Sequence, residues 1–449
     1  MGNKINKTYI IPVTAILGAS LLLTSCNNED NGDKLANTND NIKFDVSLSD
    51  GPKLGKNQEI YSQENITKLN NFSETTFGEI IKYNFENGNF QSQVYSPCSY
   101  YSTLGLLANN ALYSENNELD EIMGEIFDSY QYPNLKTESL ALLNVKNGVD
   151  KNKIGKLKNF RAVSFPQQAE EESIKLQERV LGNVLLEPDY TDSNLSLILL
   201  NASKFEGVWS NMYDSSLTKD ENYTLLDGTN IKTKMMRSGN LAKLEYSDGY
   251  EDDDVKIYKK PITTTKNKNR FTKPSKIKNT GDVYIITPKG LGNDLNKNKE
   301  IIENISNKIY KYIDEIEYNS DIYDEIYLDM PILDIKSNIN LGEVAKNNNK
   351  KFIVDEYNLK PKTGINDMQK ISSIIQSTSL KLDEEKIEAS SASQIEMEIM
   401  SLNQEKEILH ITADHPFFIV VTARNVENDG DRLENSIIFM SFVNNPTQK

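Results

Sequence analysis

Side chains able to act as a nucleophile or base near neutral pH are scarce in this 449-residue chain: two cysteines, Cys26 and Cys98, and two histidines, His410 and His415. A cysteine nucleophile needs an imidazole to take its proton, and a serine nucleophile needs a histidine oriented by a carboxylate. Cys98 stands in Ser96-Pro97-Cys98-Ser99, a sequence that opens a helix and suits a buried, unreactive thiol. Neither histidine is accompanied by a Gly-x-Ser-x-Gly elbow. Nitrogen and sulfur ligands are too few for a zinc site. The composition therefore argues against hydrolytic, thiol and metal chemistry, and it calls for no cofactor.

The segment Glu384–Ser401, EEKIEASSASQIEMEIMS, carries a different kind of signal. Its odd positions, Ile387, Ala389, Ser391, Ser393, Ile395, Met397 and Ile399, are small or apolar, and its even positions are Glu388, Ser390, Ala392, Gln394, Glu396 and Glu398. A period of two puts each set on one face of a strand. Ile387, Ser391, Ile395 and Ile399 also fall at steps of four, so a helix is open as an alternative, although Ser390, Ser391 and Ser393 make a weak helix interior. Small residues at its start suit a strand that slides between two others. A polar run, Asn403–Thr412, follows, and then two apolar β segments, ADHPFFIVVTARN and SIIFMSFVNNPT, separated by a polar turn around Glu427 to Arg432.

Those elements need a scaffold, and three upstream blocks supply its outline. Val94–Leu107, VYSPCSYYSTLGLL, reads as a buried helix begun at Ser96-Pro97. Leu197–Asp214, LILLNASKFEGVWSNMYD, reads as a strand with Asn201, Phe205, Gly207 and Trp209 in register. Asp227–Met236, DGTNIKTKMM, reads as the next strand. Together with EEKIEASSAS, ADHPF and FVNNPT, in this order, the blocks resemble the serpin family. The weakest match lies between Leu112 and Leu186.

The resemblance implies an α+β fold, three β-sheets surrounded by about eight or nine helices, with an exposed reactive-centre loop near the C terminus. It places the domain at residues 60–449 and the loop at about 384–409. It implies a suicide-substrate inhibitor rather than an enzyme. A target protease cuts the loop, forms a covalent complex through its own Ser or Cys, and is trapped when the freed loop enters the central sheet as an added strand. Counting from the hinge puts the reactive bond at Met400-Ser401, flanked by Glu398, Ile399 and Leu402. Met400 suits elastase-like and chymotrypsin-like enzymes, and Ile399 suits papain-like cysteine proteases. Cleavage after Leu402 would leave the target class unchanged, whereas cleavage after Lys406 would imply trypsin-like targets.

Within the hinge, Glu384, Glu385, Lys386, Ile387, Glu388, Ala389, Ser390, Ser391, Ala392 and Ser393, two residues depart from the family pattern. Lys386 replaces Gly and Ile387 replaces Thr. Lys386 removes flexibility, which leaves a second function open: a non-inhibitory member that is cleaved as a substrate or binds a partner. Gln376 stands at the place of the family's shutter His, expected to bond to Ser96, Ser99 and Asn201, and Trp209 stands at the breach, where insertion begins.

The remaining features concern surface and compartment. A formal charge of −16 argues against nucleic acid as a partner. Lys256–Asn279 concentrates basic residues, either as an anion-binding patch or as a solvated loop between two strands. Lys4 and Lys7 precede the apolar run Ile10–Leu23, too short to be comfortable as a membrane span. Leu23-Thr24-Ser25-Cys26 resembles a bacterial lipobox. That implies a signal peptide at 1–25, a lipidated Cys26 and a tether at 26–59, anchoring a monomer to a bacterial membrane. The expected location is the outer membrane, and Glu29 and Asp30 point to its exposed surface. A plain secretory signal is the alternative.

Overall fold

Two runs near the C terminus, Phe417–Ala423 and Ser436–Val443, are buried at every position. Strands that bury both faces belong inside a sheet covered on both sides, and a computed structural model of the chain places them there. The structure describes residues 63–108, 135–147, 154, 159–185, 190, 195–206, 209, 213–238, 248–263, 279–319, 323, 325–353, 356–357, 369–384, 407–424 and 435–448.

The strands assemble into three sheets. The first runs β1 (Gln93–Tyr95), β16 (Ser436–Val443), β15 (Phe417–Ala423), β9 (Asn279–Pro288), β8 (Val255–Thr263) and β7 (Asp248–Glu251), antiparallel throughout. The second runs β14 (Ile408–Thr412), β10 (Glu325–Pro331), β6 (Asn230–Arg237) and β5 (Lys219–Thr224). The central sheet runs β11 (Leu333–Asn340), β13 (Gln369–Leu382), β4 (Leu197–Glu206), β2 (Leu135–Asn144) and β3 (Phe160–Val163), with the short β12 (Glu356–Tyr357) also on β13. Six α-helices lie among the described residues: α1 (Gln63–Glu86), α2 (Pro97–Ala108), α3 (Gln167–Leu181), α4 (Leu295–Ser306), α5 (Ile309–Asn319) and α6 (Leu341–Asn347).

Period-two alternation divides the central sheet between two cores. Leu197 and Leu199 of β4, with Ile374 and Leu380 of β13, face the large core that also holds α1 and α2. Ile198, Leu200 and Ala202 face the opposite way, into a smaller cluster closed by Ala169, Leu176, Val180 and Leu181 of α3. The apolar stripe of α3 recurs at helical spacing, and the helix stops at Gly182, whose φ of 81° takes the left-handed conformation and whose N–H caps the Glu178 carbonyl.

One sequence expectation needs correction. The run Asn403–Thr412, read as polar, ends in a strand, because Leu409 and Ile411 bury alternate side chains while Ile408, His410 and Thr412 stay exposed. The loop expected to reach residue 409 therefore gives way to β14 from Ile408.

Candidate functional site

The seam between β4 and β13 is the feature that sets the central sheet apart. The two strands are parallel and directly paired from Ile371 opposite Leu197 to Lys381 opposite Glu206, with one irregularity between Ile371 and Ser373. Their outer neighbours, β2 and β11, are antiparallel to them. A chain leaving the end of β13 and folding back along the seam would run antiparallel to both β13 and β4. It would exchange one parallel ladder for two antiparallel ones, which pair slightly better per residue.

Beneath the middle of this seam lies a buried polar network. Gln376 is fully buried and sits opposite Asn201. Its Oε1 accepts from the Ser96 N–H at 2.9 Å, and its Nε2 donates to the Ser96 carbonyl at 2.9 Å and to Asn201 Oδ1 at 3.4 Å. The Ser96 hydroxyl pairs with Ser99 Oγ at 2.8 Å and donates to the Ile438 carbonyl at 3.0 Å. Gln376 thus meets the main chain of Ser96 and the amide of Asn201, and reaches Ser99 only through Ser96. Three strand hydroxyls that the sequence reading passed over complete the network. Ser99 pairs with Thr137 at 2.9 Å, Asn201 Nδ2 donates to Ser139 Oγ at 3.0 Å, and Ser203 donates to Asn201 Oδ1 at 2.7 Å. Small hydroxyl residues within otherwise apolar strands were the only signal. Each of these bonds compensates a buried polar group that would otherwise cost about 1–3 kcal/mol.

The upper end of β13 is held by a second set of contacts. Trp209 Nε1 donates to the Asp383 carbonyl at 3.0 Å, and the Thr218 hydroxyl donates to the Glu384 carboxylate at 2.6 Å. Trp209 packs edge-on against Tyr213 at 5.6 Å between centroids. The ammonium of Lys260, buried at 1% exposure, lies 4.3 Å from the Tyr213 centroid and 5.5 Å from that of Trp209, an arrangement that stabilises a desolvated cation. Glu384 is where the described chain stops before Glu407. Glu385, Lys386, Ile387, Glu388, Ala389, Ser390, Ser391, Ala392 and Ser393 of the hinge lie outside the described residues, as do Glu398, Ile399, Met400, Ser401, Leu402 and the lipidation candidate Cys26.

Among the described residues the scarce nucleophile and base candidates are dispersed. Cys98 is buried on α2, its Sγ 3.7 Å from the Ile438 carbonyl, and burial pushes its thiol up to about 11. His415 contacts Asp414 Oδ1 through Nδ1 at 2.7 Å and the Pro288 carbonyl through Nε2 at 2.9 Å. That contact holds the Asp414 carboxyl below its ordinary value. His410 lies on the exposed face of β14, its ring 4.8 Å from that of Tyr327. Among the described residues no group of three His, Cys, Asp or Glu is placed to hold a metal ion, and no helix is long and apolar enough to cross a membrane.

A three-sheet fold with a closed parallel seam at its centre defines a class, and comparison with known proteins identifies it. The family model "Serpin (serine protease inhibitor)" matches residues 182–446. The chain belongs to the serpin family. Serpin-Z3 of Arabidopsis thaliana is 29% identical over 256 residues, which cover 54% of this chain and 58% of that protein. Serpin-ZX of Hordeum vulgare is 25% identical over 271 residues, 57% of this chain and 58% of the other. The chain thus spans somewhat over half the length of the curated relatives it matches. The structure of Arabidopsis AtSerpin1 in its native stressed conformation superposes with a TM-score of 0.61 at 18% identity, covering 86% of this chain and 99% of that one. The thermophilic serpin tengpin in its native state gives 0.60 at 16% identity, with coverage of 86% and 95%. These structural likenesses establish the fold.

Proposed function

We propose that the protein is a single-use inhibitor of elastase-like or chymotrypsin-like serine proteases, with papain-like cysteine proteases as further targets. The observation that carries this reading is the direct parallel pairing of β4 and β13 beside the root of the loop. A protease nucleophile attacks the Met400 carbonyl carbon, the Ser401 amine leaves, and an acyl-enzyme forms. The segment ending at Met400 then enters the seam antiparallel to both neighbours. Residues Ile387, Ala389, Ser391 and Ser393 share one face and Glu388, Ser390 and Ala392 the other, so the first turns of the alternation bury no charge on the odd face. The enzyme, still esterified to Met400, travels with the strand, and distortion of its active site blocks deacylation.

The Trp209–Asp383 and Thr218–Glu384 contacts hold the loop root until cleavage, and the Gln376 network supplies the polar floor that the inserting strand crosses. Lipidation at Cys26 anchors the protein as a monomer to a bacterial outer membrane, with the tether of residues 26–59 presenting the inhibitor outward. A second reading, a non-inhibitory substrate or binding protein, is favoured by one residue, Lys386 in place of the hinge Gly.

Mixing the purified protein with elastase and separating the products on a denaturing gel tests the proposal. Inhibition predicts a detergent-resistant covalent complex and a released peptide beginning at Ser401. Clean cleavage without a complex would transfer the assignment to the substrate reading. Digestion of the protein by external protease on intact cells tests the surface placement, which full protection would overturn.

A further inference from the structure

The upper mouth of the seam is closed by residues that stand just past its two strands. β4 ends at Glu206 with Trp209 beyond it, and β13 ends at Leu382 with Asp383 next. The indole N–H of Trp209 donates to the Asp383 carbonyl at 3.0 Å, so one bond ties the exit of β4 to the exit of β13. Tyr213 leads into Asp214, which caps the turn Ser215–Leu217 by accepting the Ser216 N–H at 2.9 Å. Thr218 closes that turn, and its hydroxyl holds the Glu384 carboxylate at 2.6 Å. Two aromatic residues therefore serve the two contacts, Trp209 directly and Tyr213 through one capped turn.

The ammonium of Lys260 lies against both rings. Lys260 belongs to β8 of the first sheet rather than to the central one. Its Nζ is 4.3 Å from the Tyr213 centroid and 5.5 Å from that of Trp209, and the two rings meet edge-on. The backbone supports the placement, since Trp209 makes an isolated antiparallel bridge to Ile262, two residues along β8 and so on the same face as Lys260. Lysine is almost never fully buried, yet Lys260 is. An unbranched apolar side chain such as Met would fill the same space without the cost of desolvating a charge. It would lose the attraction of a desolvated cation for the aromatic faces.

We infer that Lys260 is a positioning residue for the mouth of the seam. Its buried charge fixes Trp209 and Tyr213, and through them the Asp383 and Glu384 contacts that keep β4 and β13 closed at their upper end. The first sheet thereby controls the end of the central one. The consequence for trapping rests on the inhibitor reading above, whereas the consequence for the closed seam does not.

Trp209 is the only tryptophan of the chain, so intrinsic fluorescence reports on this residue alone. In Lys260→Met, acrylamide quenching of the native protein should rise by about twofold, and hydrogen exchange across Leu380–Glu384 should quicken by about tenfold or more, as loss of a desolvated cation–aromatic contact predicts. Exchange across Phe417–Ala423 should stay as in the parent, because that strand is buried at every position away from the mouth. Lys260→Arg keeps the cation and should return both readings to within about twofold of the parent.

If Lys260→Met fails to fold, Tyr213→Leu, which leaves Lys260 in place and removes one ring, carries the same test with the same changes expected. Unchanged quenching and exchange, equal loosening in the Met and Arg variants, or loosening that reaches Phe417–Ala423 to the same degree would each overturn the inference. Mixed with elastase, Lys260→Met should raise the fraction of cleaved protein that ends as covalent complex, because a loosened mouth lets insertion outrun deacylation. An unchanged fraction, from a parent that does form the complex, would overturn the role in trapping. A parent that forms no complex would instead sink the inhibitor reading, and the fluorescence and exchange results would still decide the role of Lys260.

Discussion

β15 with β16, and β4 with β13, are both strand pairs inside their sheets, and they hold together by different means. β15 and β16 are antiparallel and buried on both faces, with Phe418 and Phe442 at 5.7 Å and Phe77 and Phe85 packed against them from α1. Separating them would expose apolar surface with nothing to replace it. β4 and β13 are parallel, and their inner face carries Gln376, Asn201 and Ser203 among the leucines and isoleucines. Hydrogen bonds of that kind can be taken over by another backbone and side chains at little net cost, whereas lost apolar packing cannot. The loop insertion proposed above would draw on both kinds of pair.

The comparison can be broken first on its rigid side. Phe442→Ala should cost about 3–5 kcal/mol of global stability, as large-to-small changes of buried aromatics do, measured by denaturant unfolding. A loss below 1 kcal/mol would mean that this sheet is not the rigid element. Cys98 reports on α2, since its thiol is buried against the Ile438 carbonyl of β16. With its thiol pushed up to about 11 by burial, alkylation at pH 8 should run roughly hundredfold slower than for an ordinary cysteine. The thiolate fraction, and with it the rate, should climb about tenfold per pH unit until that value is reached. Full-rate labelling of the native protein at pH 8 would show that α2 does not keep Cys98 buried against β16.

Gln376→Leu should destabilise by about 1–3 kcal/mol, because the Ser96 N–H and carbonyl lose their buried partner. Loosening of Ser96 at the start of α2 should accelerate Cys98 labelling before global melting. The smallest expected effect belongs to Arg179 at the end of α3, whose fork reaches Glu138 of β2 at 2.7 and 2.9 Å. Because this pair is half exposed, Arg179→Ala should change stability by less than about 1 kcal/mol. A loss of 3 kcal/mol or more would make the pair a main support of the α3 packing.

Several elements were legible because their signal is local. Pro97 after Ser96 announces α2, and the unbroken apolar runs after Pro416 announce β15 and β16, whereas the strand within Asp227–Met236 could be named only from the family resemblance. β14 escaped because it is short, follows Asn403-Gln404-Glu405-Lys406-Glu407, and contains a histidine and a threonine that dilute its alternation. The network under the seam was half legible. Gln376, Ser96, Ser99 and Asn201 could be named from the family resemblance, whereas Thr137, Ser139 and Ser203 look like ordinary strand hydroxyls until β2 and β4 are laid side by side. The clasp of Thr218 on Glu384 joins residues far apart in the chain and leaves no trace in either neighbourhood.

By itself the sequence determined the period-two pattern and the run of small residues after Glu384, the apolar runs near the C terminus and the scarcity of nucleophiles and bases, all of which depend on residue type and near-neighbour spacing. Only the tertiary structure decided that β4 and β13 touch directly and in parallel, that Gln376 bonds to the main chain of Ser96, and that Lys260 of β8 lies against Trp209 and Tyr213. Those outcomes depend on register between strands distant in the chain, and a shift of one residue would turn every one of these side chains to the opposite face.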